Sequence, residues 1–398
     1  MASIYKRGNV WIASYKDSDG KWRAKSVGRD RGFAQIAANK LESDSLKVSL
    51  GFVTPAEVQA KEAASVPVST HILDYAQHLT SKGNTGKHVD MTTKRIEKLF
   101  AGCGINTLAD ITPDKVSKWL SDQRSLGLST QTSNYYLTAA KAFSRWATRN
   151  QLIPINKLDV LDGLNTRTDR RHDRRALSKE ETAWLISTTE NGDTFKKMTG
   201  AERALVYRLS LETGLRSSEI RSLKTKSFDL TDNPVVTVEA SDTKNRKQAS
   251  IPLRPTLTNM IKEWLARKTP ESNAFNMPES THTSEMIQHD LQAARNKWIE
   301  AARSQAEKRE RQKSLFLAYD SGDNRYLDFH ALRHTYVTNL CQSGVHPRVA
   351  QELARHSDIR LTMSRYTHIQ QQDMAKALEN LPEIQTPNIK IKGKSKAS

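Results

Sequence analysis

Six polar side chains scattered over the second half of this chain could together break a phosphodiester: Arg216, Lys244, His330, Arg333, His356 and Tyr366. They supply two guanidinium groups, an ammonium, two imidazoles and a phenol. A guanidinium held by a rigid turn offers two parallel donors to two non-bridging phosphate oxygens. An ammonium or imidazole can move the protons, and a phenol can attack phosphorus. This is equipment that needs no metal. No clustered His/Cys ligand set argues for one, and no cofactor is expected.

Each residue lies in a short string that can be read by itself. Arg216 is in TGLRSSEI (213–220), Lys244 in SDTKNRKQASIPL (241–253), His330 and Arg333 in HALRHTY (330–336), and His356 and Tyr366 in LARHSDIRLTMSRYTH (353–368). His330 and Arg333 are three apart, so on a helix they share a face. Lys244 falls in a polar loop between two strand-like runs, VVTVEA and QASIPL, and nothing intrinsic separates it from Lys247. Taken in order, the strings resemble the tyrosine site-specific recombinases, the phage integrase family. The resemblance is strong over residues 175 to 385 and looser over 68 to 165.

The resemblance implies a mechanism. Tyr366 would attack the scissile phosphorus, release a 5′ hydroxyl and leave a 3′ phosphotyrosine, so that the bond energy is kept and rejoining needs no ATP. A phenol with a pKa of about 10 is a poor nucleophile at neutral pH. His330 is the implied proton acceptor. Arg216 and Arg333 would clamp the phosphate, His356 would add a hydrogen bond, and Lys244, chosen over Lys247 by the family's Thr-Lys pattern, would protonate the leaving 5′ oxygen. Glu219 has a supporting role. Two features depart from the family pattern: ten positions rather than nine separate His356 from Tyr366, and Arg355 stands where a glycine is usual.

Composition agrees with a polyanionic partner. Lys plus Arg number 62 against 44 Asp plus Glu, a formal charge of +18. Such an excess favours nucleic acid through counterion release. Cys103 and Cys341 are too few and too far apart for a disulfide framework or a zinc site, so a reducing compartment is expected. The start MASIYKRGNVW has no apolar core of a signal peptide, and no stretch approaches the ~18 consecutive apolar residues of a membrane span. A cytoplasmic, nucleoid-associated protein of a bacterial host is expected, without membrane contact.

The elements that must position these groups follow from pattern. The fold class expected is mainly α with small β-sheets (α+β), in three domains. Residues 1–50 read as a sheet-plus-helix module: VWIASY and WRAKSV flank the turn DSDGK, a hairpin signal, and Phe33, Ile36, Ala37, Leu41 and Leu46 follow at helical steps. The resemblance makes it an arm-type DNA-binding module. Residues 51–67 are a linker. Residues 68–165 form a helical, SAM-like core-binding domain, with Thr112-Pro113 opening a helix and Tyr136, Leu137, Ala140, Phe143 and Ala147 making a buried stripe. Lys141 and Arg145 on an adjoining face are candidate DNA contacts. RTDRRHDRR within 166–176 is a basic linker, and Ser178 with Glu181 makes a capping box. Residues 177–385 form the catalytic domain, with a charged insertion at 299–326 extending a helix into a loop and a short amphipathic helix at 373–381. Residues 386–398 are a basic tail.

The expected partner is double-stranded DNA carrying a specific recombination site, bound as a homotetramer by a chain that is a monomer in solution, with accessory DNA-bending or directionality proteins. A type IB topoisomerase-like relaxing enzyme would share the chemistry. An inactive DNA-binding architectural protein is the alternative from another class, against which the completeness of the six residues argues.

Overall fold

The computed structural model describes residues 2–52, 54, 63, 65–243 and 245–366, the last three as backbone alone. Two compact units divide at Arg171/His172, inside the basic segment.

The first unit opens with an antiparallel sheet, β1 (Ser3–Arg7), β2 (Val10–Lys16) and β3 (Trp22–Gly28), in sequence order. One strand more is present than the two-run pattern implied. The turn after β2 closes because the Asp17 carboxylate accepts from the N–H groups of Asp19 and Lys21, while Gly20 takes φ +78°. Helix α1 (Arg31–Ser49) is capped by Asp30, whose side chain accepts from the Phe33 N–H. Its buried residues are Ala34 and Ala38. The expected stripe is corrected here: Phe33 and Ile36 are 63% and 68% exposed. Small alanines let the helix lie close on a sheet whose inward residue, Ala13, is also small, and bulky side chains are displaced outward.

The rest of this unit is helical: α2 (Val68–Ser81), α3 (Gly86–Gly102), α4 (Pro113–Ser125) and α5 (Thr130–Arg149). The expected stripe on α5 is buried throughout. Phe143 sits at its centre, edge-on to Tyr75 and Phe100 at 5.6 and 5.5 Å.

The second unit is built on α6 (Lys179–Glu190) and α7 (Gly200–Thr213), followed by α8 (Ser217–Ser222). The Ser178–Glu181 capping box is formed. A three-stranded antiparallel sheet comprises β5 (Phe228–Asp229), β6 (Val235–Val238) and β7 (Ala249–Pro252). Helices α9 (Pro255–Leu265) and α10 (Thr283–Glu300) follow. The insertion does not prolong α10. The chain breaks at Glu300 and starts a separate helix, α11 (Gln305–Lys313), capped by Ser304. A short parallel pairing then joins β4 (Asp173–Arg174) to β8 (Arg325–Tyr326). Last come α12 (Phe329–Gln342), α13 (Pro347–Ala354) and α14 (Ile359–Tyr366).

Helix α7 is locked in place by a buried ion pair. Arg203 makes a two-pronged contact with Asp290 of α10 at 2.8 and 2.9 Å, and Tyr207 donates to the same carboxylate at 2.7 Å. Arg203 also donates to the carbonyls of Asp193 and Met198, so both buried charges are satisfied. The N-terminal half of α7 is thereby fixed against α10, and the candidate site starts at the other end of the same helix. Among the described residues no helix is long and apolar enough to cross a membrane. The expected helix at 373–381 and the tail at 386–398 lie outside the described residues.

Candidate active site

Helix α7 ends at Gly214, which takes φ +64°, ψ +20°, the left-handed cap that its residue type permits. The chain reverses, and Arg216 becomes the N-terminal cap of α8. Glu219, three residues on and only 1% exposed, reaches back to it. One carboxylate oxygen accepts from the Arg216 guanidinium at 2.6 Å and the other from the Arg216 backbone N–H at 2.8 Å. Burial opposes ionisation of Glu219, but the charge of Arg355 and the Arg216 contacts overcome it and hold its pKa below the usual value.

Gly214 cannot be replaced without cost. A Cβ there would lie 2.5 Å from Cδ1 and 2.8 Å from Cε1 of Tyr336, in a left-handed backbone that side chains avoid. Gly214→Ala is expected to destabilise the protein by ~2–4 kcal/mol, combining backbone strain with overpacking. Thermal unfolding checks this, and an unchanged melting temperature would contradict the packing described.

Arg333 comes from α12 and is turned inward, 3% exposed. Its guanidinium donates to the carbonyls of Gly214 and Ala354. Burial, then the neighbouring charges of Arg216 and Arg355, press its pKa below the ordinary arginine value. His330 lies one turn earlier, at the start of α12. Asp328 caps this helix, accepting from the Ala331 N–H, and is itself gripped by Arg174 at 2.7–2.9 Å and by His172 at 3.2 Å. The His172 ring stacks on Tyr326 at 4.3 Å. The supposed linker arginines are therefore structural ties on both sides of the division: Arg175 pairs with Glu181, and Arg171 with Asp169.

His330 keeps an open face to solvent. Protein crowded around the rest of the ring, then the charges of Arg174 and Arg333, lower its pKa from 6.5 to about 4. The ring is consequently neutral at pH 7 and able to accept a proton. The stability consequence has a definite sign. As pH falls from 6.5 towards about 4, the unfolded chain takes up the proton before the folded one, so stability is lost across that window. The melting temperature of the unaltered protein is expected to fall more steeply there than that of His330→Gln. Parallel curves would show that the ring is not desolvated in the fold.

His356 follows α13. Its Nδ1 lies 2.9 Å from the hydroxyl of Thr362, a fully buried residue of α14, and its backbone N–H donates to the Gln351 carbonyl. Arg355, the residue before it, caps α13 with φ +53°, ψ +43°. This left-handed conformation costs a non-glycine residue roughly 1–2 kcal/mol. The Arg355 side chain donates to Glu219 at 2.9 Å and to the Gly214 carbonyl at 3.2 Å. Tyr366 is the last residue of α14, a helix that packs on α12 and α13; its side chain lies outside the described residues. Lys244 is also outside them. Lys247, the alternative lysine, lines a cleft of about 440 Å³ together with Arg216 and Arg355.

Arg216, Glu219 and Arg333 therefore meet at one turn; His330 lies one helical turn before Arg333, within reach of the Arg216 charge, and His356 follows Ala354, whose carbonyl Arg333 holds. Lys141 and Arg145 belong to the first unit. Lys141, a candidate DNA contact, donates to the carbonyls of Asp159 and Leu161, and Arg145, the other candidate, pairs with the Asp159 carboxylate at 3.2 Å. Both are drawn to the backbone turn at 157–160, whose carbonyls and carboxylate need donors. Sequence reasoning missed Arg355, Arg174 and Thr362 as partners in the site. Only Arg355 carried a signal, its departure from glycine.

The profile described as "Phage integrase family" matches residues 175–373, and "Phage integrase, N-terminal SAM-like domain" matches residues 74–151. The chain is similar to tyrosine recombinase XerC of Mycobacterium sp. (strain KMS), 24% identical over 278 residues, 69% of this chain and 85% of the relative. It is 25% identical to tyrosine recombinase XerD of Lacticaseibacillus casei over 246 residues, 60% and 72% of the two chains. Among solved structures, the Tn1549 transposon integrase in complex with transposon right end DNA has TM-score 0.56 at 16% identity, covering 78% of this chain and 98% of that one. A lambda integrase tetramer bound to a Holliday junction has TM-score 0.56 at 18% identity, covering 92% and 96%. These likenesses establish the α+β fold.

Proposed function

This chain belongs to the phage integrase family of tyrosine recombinases, and on that premise we propose that it cleaves and rejoins DNA at a specific site through a 3′ phosphotyrosine formed on Tyr366, integrating or excising a mobile element. The observation that carries this is the Gly214 turn, where Arg333 holds the Gly214 carbonyl and buried Glu219 braces Arg216, with His330 close enough to feel the charges of both arginines.

Each group has one task. Arg216 and Arg333 bind the non-bridging oxygens of the scissile phosphate, and His356, its ring held by Thr362, adds a donor. Preorganised donors of this kind are each worth several kcal/mol at the transition state. Neutral His330 accepts the phenolic proton as the Tyr366 oxygen bonds to phosphorus. The 5′ oxygen departs with a proton from Lys244. In the reverse step the 5′ hydroxyl attacks and the tyrosine leaves. The side chains supply every charge and proton in this scheme, so it draws on neither metal nor ATP.

The remaining parts are assigned by the same reading. Residues 1–50 contact accessory DNA, residues 68–165 embrace the core site, and 177–385 carry the chemistry. Arg145, its guanidinium half exposed, remains available to the duplex, whereas Lys141 serves as a tie within its domain. Four copies act together on two duplexes, assisted by DNA-bending or directionality proteins. The test is incubation with nicked suicide duplexes covering the ends of the coding gene and its flanks, in EDTA. An SDS-stable, protease-sensitive DNA adduct is expected. Binding without any adduct would favour an architectural role.

A further inference from the structure

We propose that Arg355 is a positioning residue of the phosphate clamp, tying the carboxylate of Glu219 to the carbonyl of Gly214 and so holding Arg216 and Arg333 in one arrangement. This rests on the recombinase reading above and deepens it. Helix α13 ends in a left-handed turn that glycine would occupy without strain, yet an arginine stands there, and its side chain is only 12% exposed. A strained backbone carrying a buried charge persists where the surroundings hold it. What holds it is the site itself.

The contacts form a closed circuit. Glu219 Oε1 takes the Arg216 guanidinium, while Oε2 takes both the Arg216 N–H and Arg355 Nη2. The same Arg355 Nη2 donates to the Gly214 carbonyl, which also accepts from Arg333. Arg355 thus pins the carboxylate plane that aims Arg216, and shares the carbonyl that anchors Arg333. It also changes the charge. Three guanidinium groups surround one carboxylate, leaving a surplus of two positive charges. A phosphodiester carries one negative charge and the five-coordinate state formed by phenolate attack carries two, so the surplus matches the transition state better than the ground state.

The test uses the full-length protein and the nicked suicide duplex. Arg355→Gly relieves the backbone strain, so its melting temperature should be unchanged or higher. Its cleavage rate at saturating protein is expected to fall about tenfold or more, while its apparent Kd for the duplex stays within about twofold. Arg355→Lys should recover part of the rate, because an ammonium can keep the Glu219 contact. Cleavage by Arg355→Gly at the unaltered rate would overturn the proposal. So would a loss confined to Kd, which would make Arg355 a DNA contact. An unaltered protein that forms no adduct on any of the duplexes would overturn the proposed function first, and this inference with it.

Discussion

Tyr366→Phe is expected to bind the duplex as the unaltered protein does while forming no covalent adduct, a loss of at least about a thousandfold in cleavage. The substitution removes one oxygen. Tyr366 closes α14, a helix that packs against α12 and α13 and carries the buried Thr362. Folding and affinity should therefore survive. Tyr336 is close to the turn, but it is buried against Gly214, and that burial pushes its phenol pKa up, away from ionisation. Tyr336→Phe should accordingly retain the adduct. The measurement is SDS gel electrophoresis of labelled duplex beside a native binding gel. Adducts persisting in Tyr366→Phe would defeat the assignment of the nucleophile.

Arg333→Ala should produce the second largest effect, on both stability and chemistry. The guanidinium satisfies the carbonyls of Gly214 and Ala354 in a buried position. Truncation strips the Ala354 carbonyl of this donor, leaves the Gly214 carbonyl only its Arg355 contact, and opens a cavity, a cost of ~2–4 kcal/mol. On the proposed reading it also removes a phosphate donor, worth about a hundred- to thousandfold in rate. The two losses separate if cleavage is measured at saturating DNA well below the variant's melting temperature. Arg333→Lys keeps the charge but cannot span two carbonyls and a phosphate, so it should fall between. Cleavage by Arg333→Ala within about tenfold of the unaltered rate would show that this arginine only ties the turn to α13.

Arg333 is enclosed by the fold and shares the Gly214 carbonyl with Arg355, so its removal disturbs the frame that Arg216 depends on. Its contribution and that of Arg355 should be non-additive, as for any pair in one hydrogen-bond network.

Much of the site was legible as residue types in order. Ser178 and Glu181 announced a capping box, and the stripe from Tyr136 to Ala147 a buried face, because each depends on interactions within a few positions along the chain. The helical pattern of α1 was read one face out. Periodicity marks where apolar residues recur, but close packing of Ala34 and Ala38 near Ala13 decided which face could approach the sheet. The new helix after Glu300 was missed although Ser304 and Glu307 repeat the Ser-x-x-Glu start signal of Ser178 and Glu181.

By itself, then, the sequence determined the chemistry available here: a phenol, two clamping arginines, two imidazoles and an acidic brace, in strings whose order marks the family. Only the tertiary structure decided how those groups are held. Arg171, Arg174 and Arg175 look like a tether for DNA, yet each is bound to a carboxylate within its own unit, Arg174 to one 154 positions away. Arg355 looks like a defect at a glycine position, yet it meets Glu219 across 136 residues of chain. Local propensity is set by neighbours along the chain, whereas the pairing of buried charges is set by which segments the core brings together.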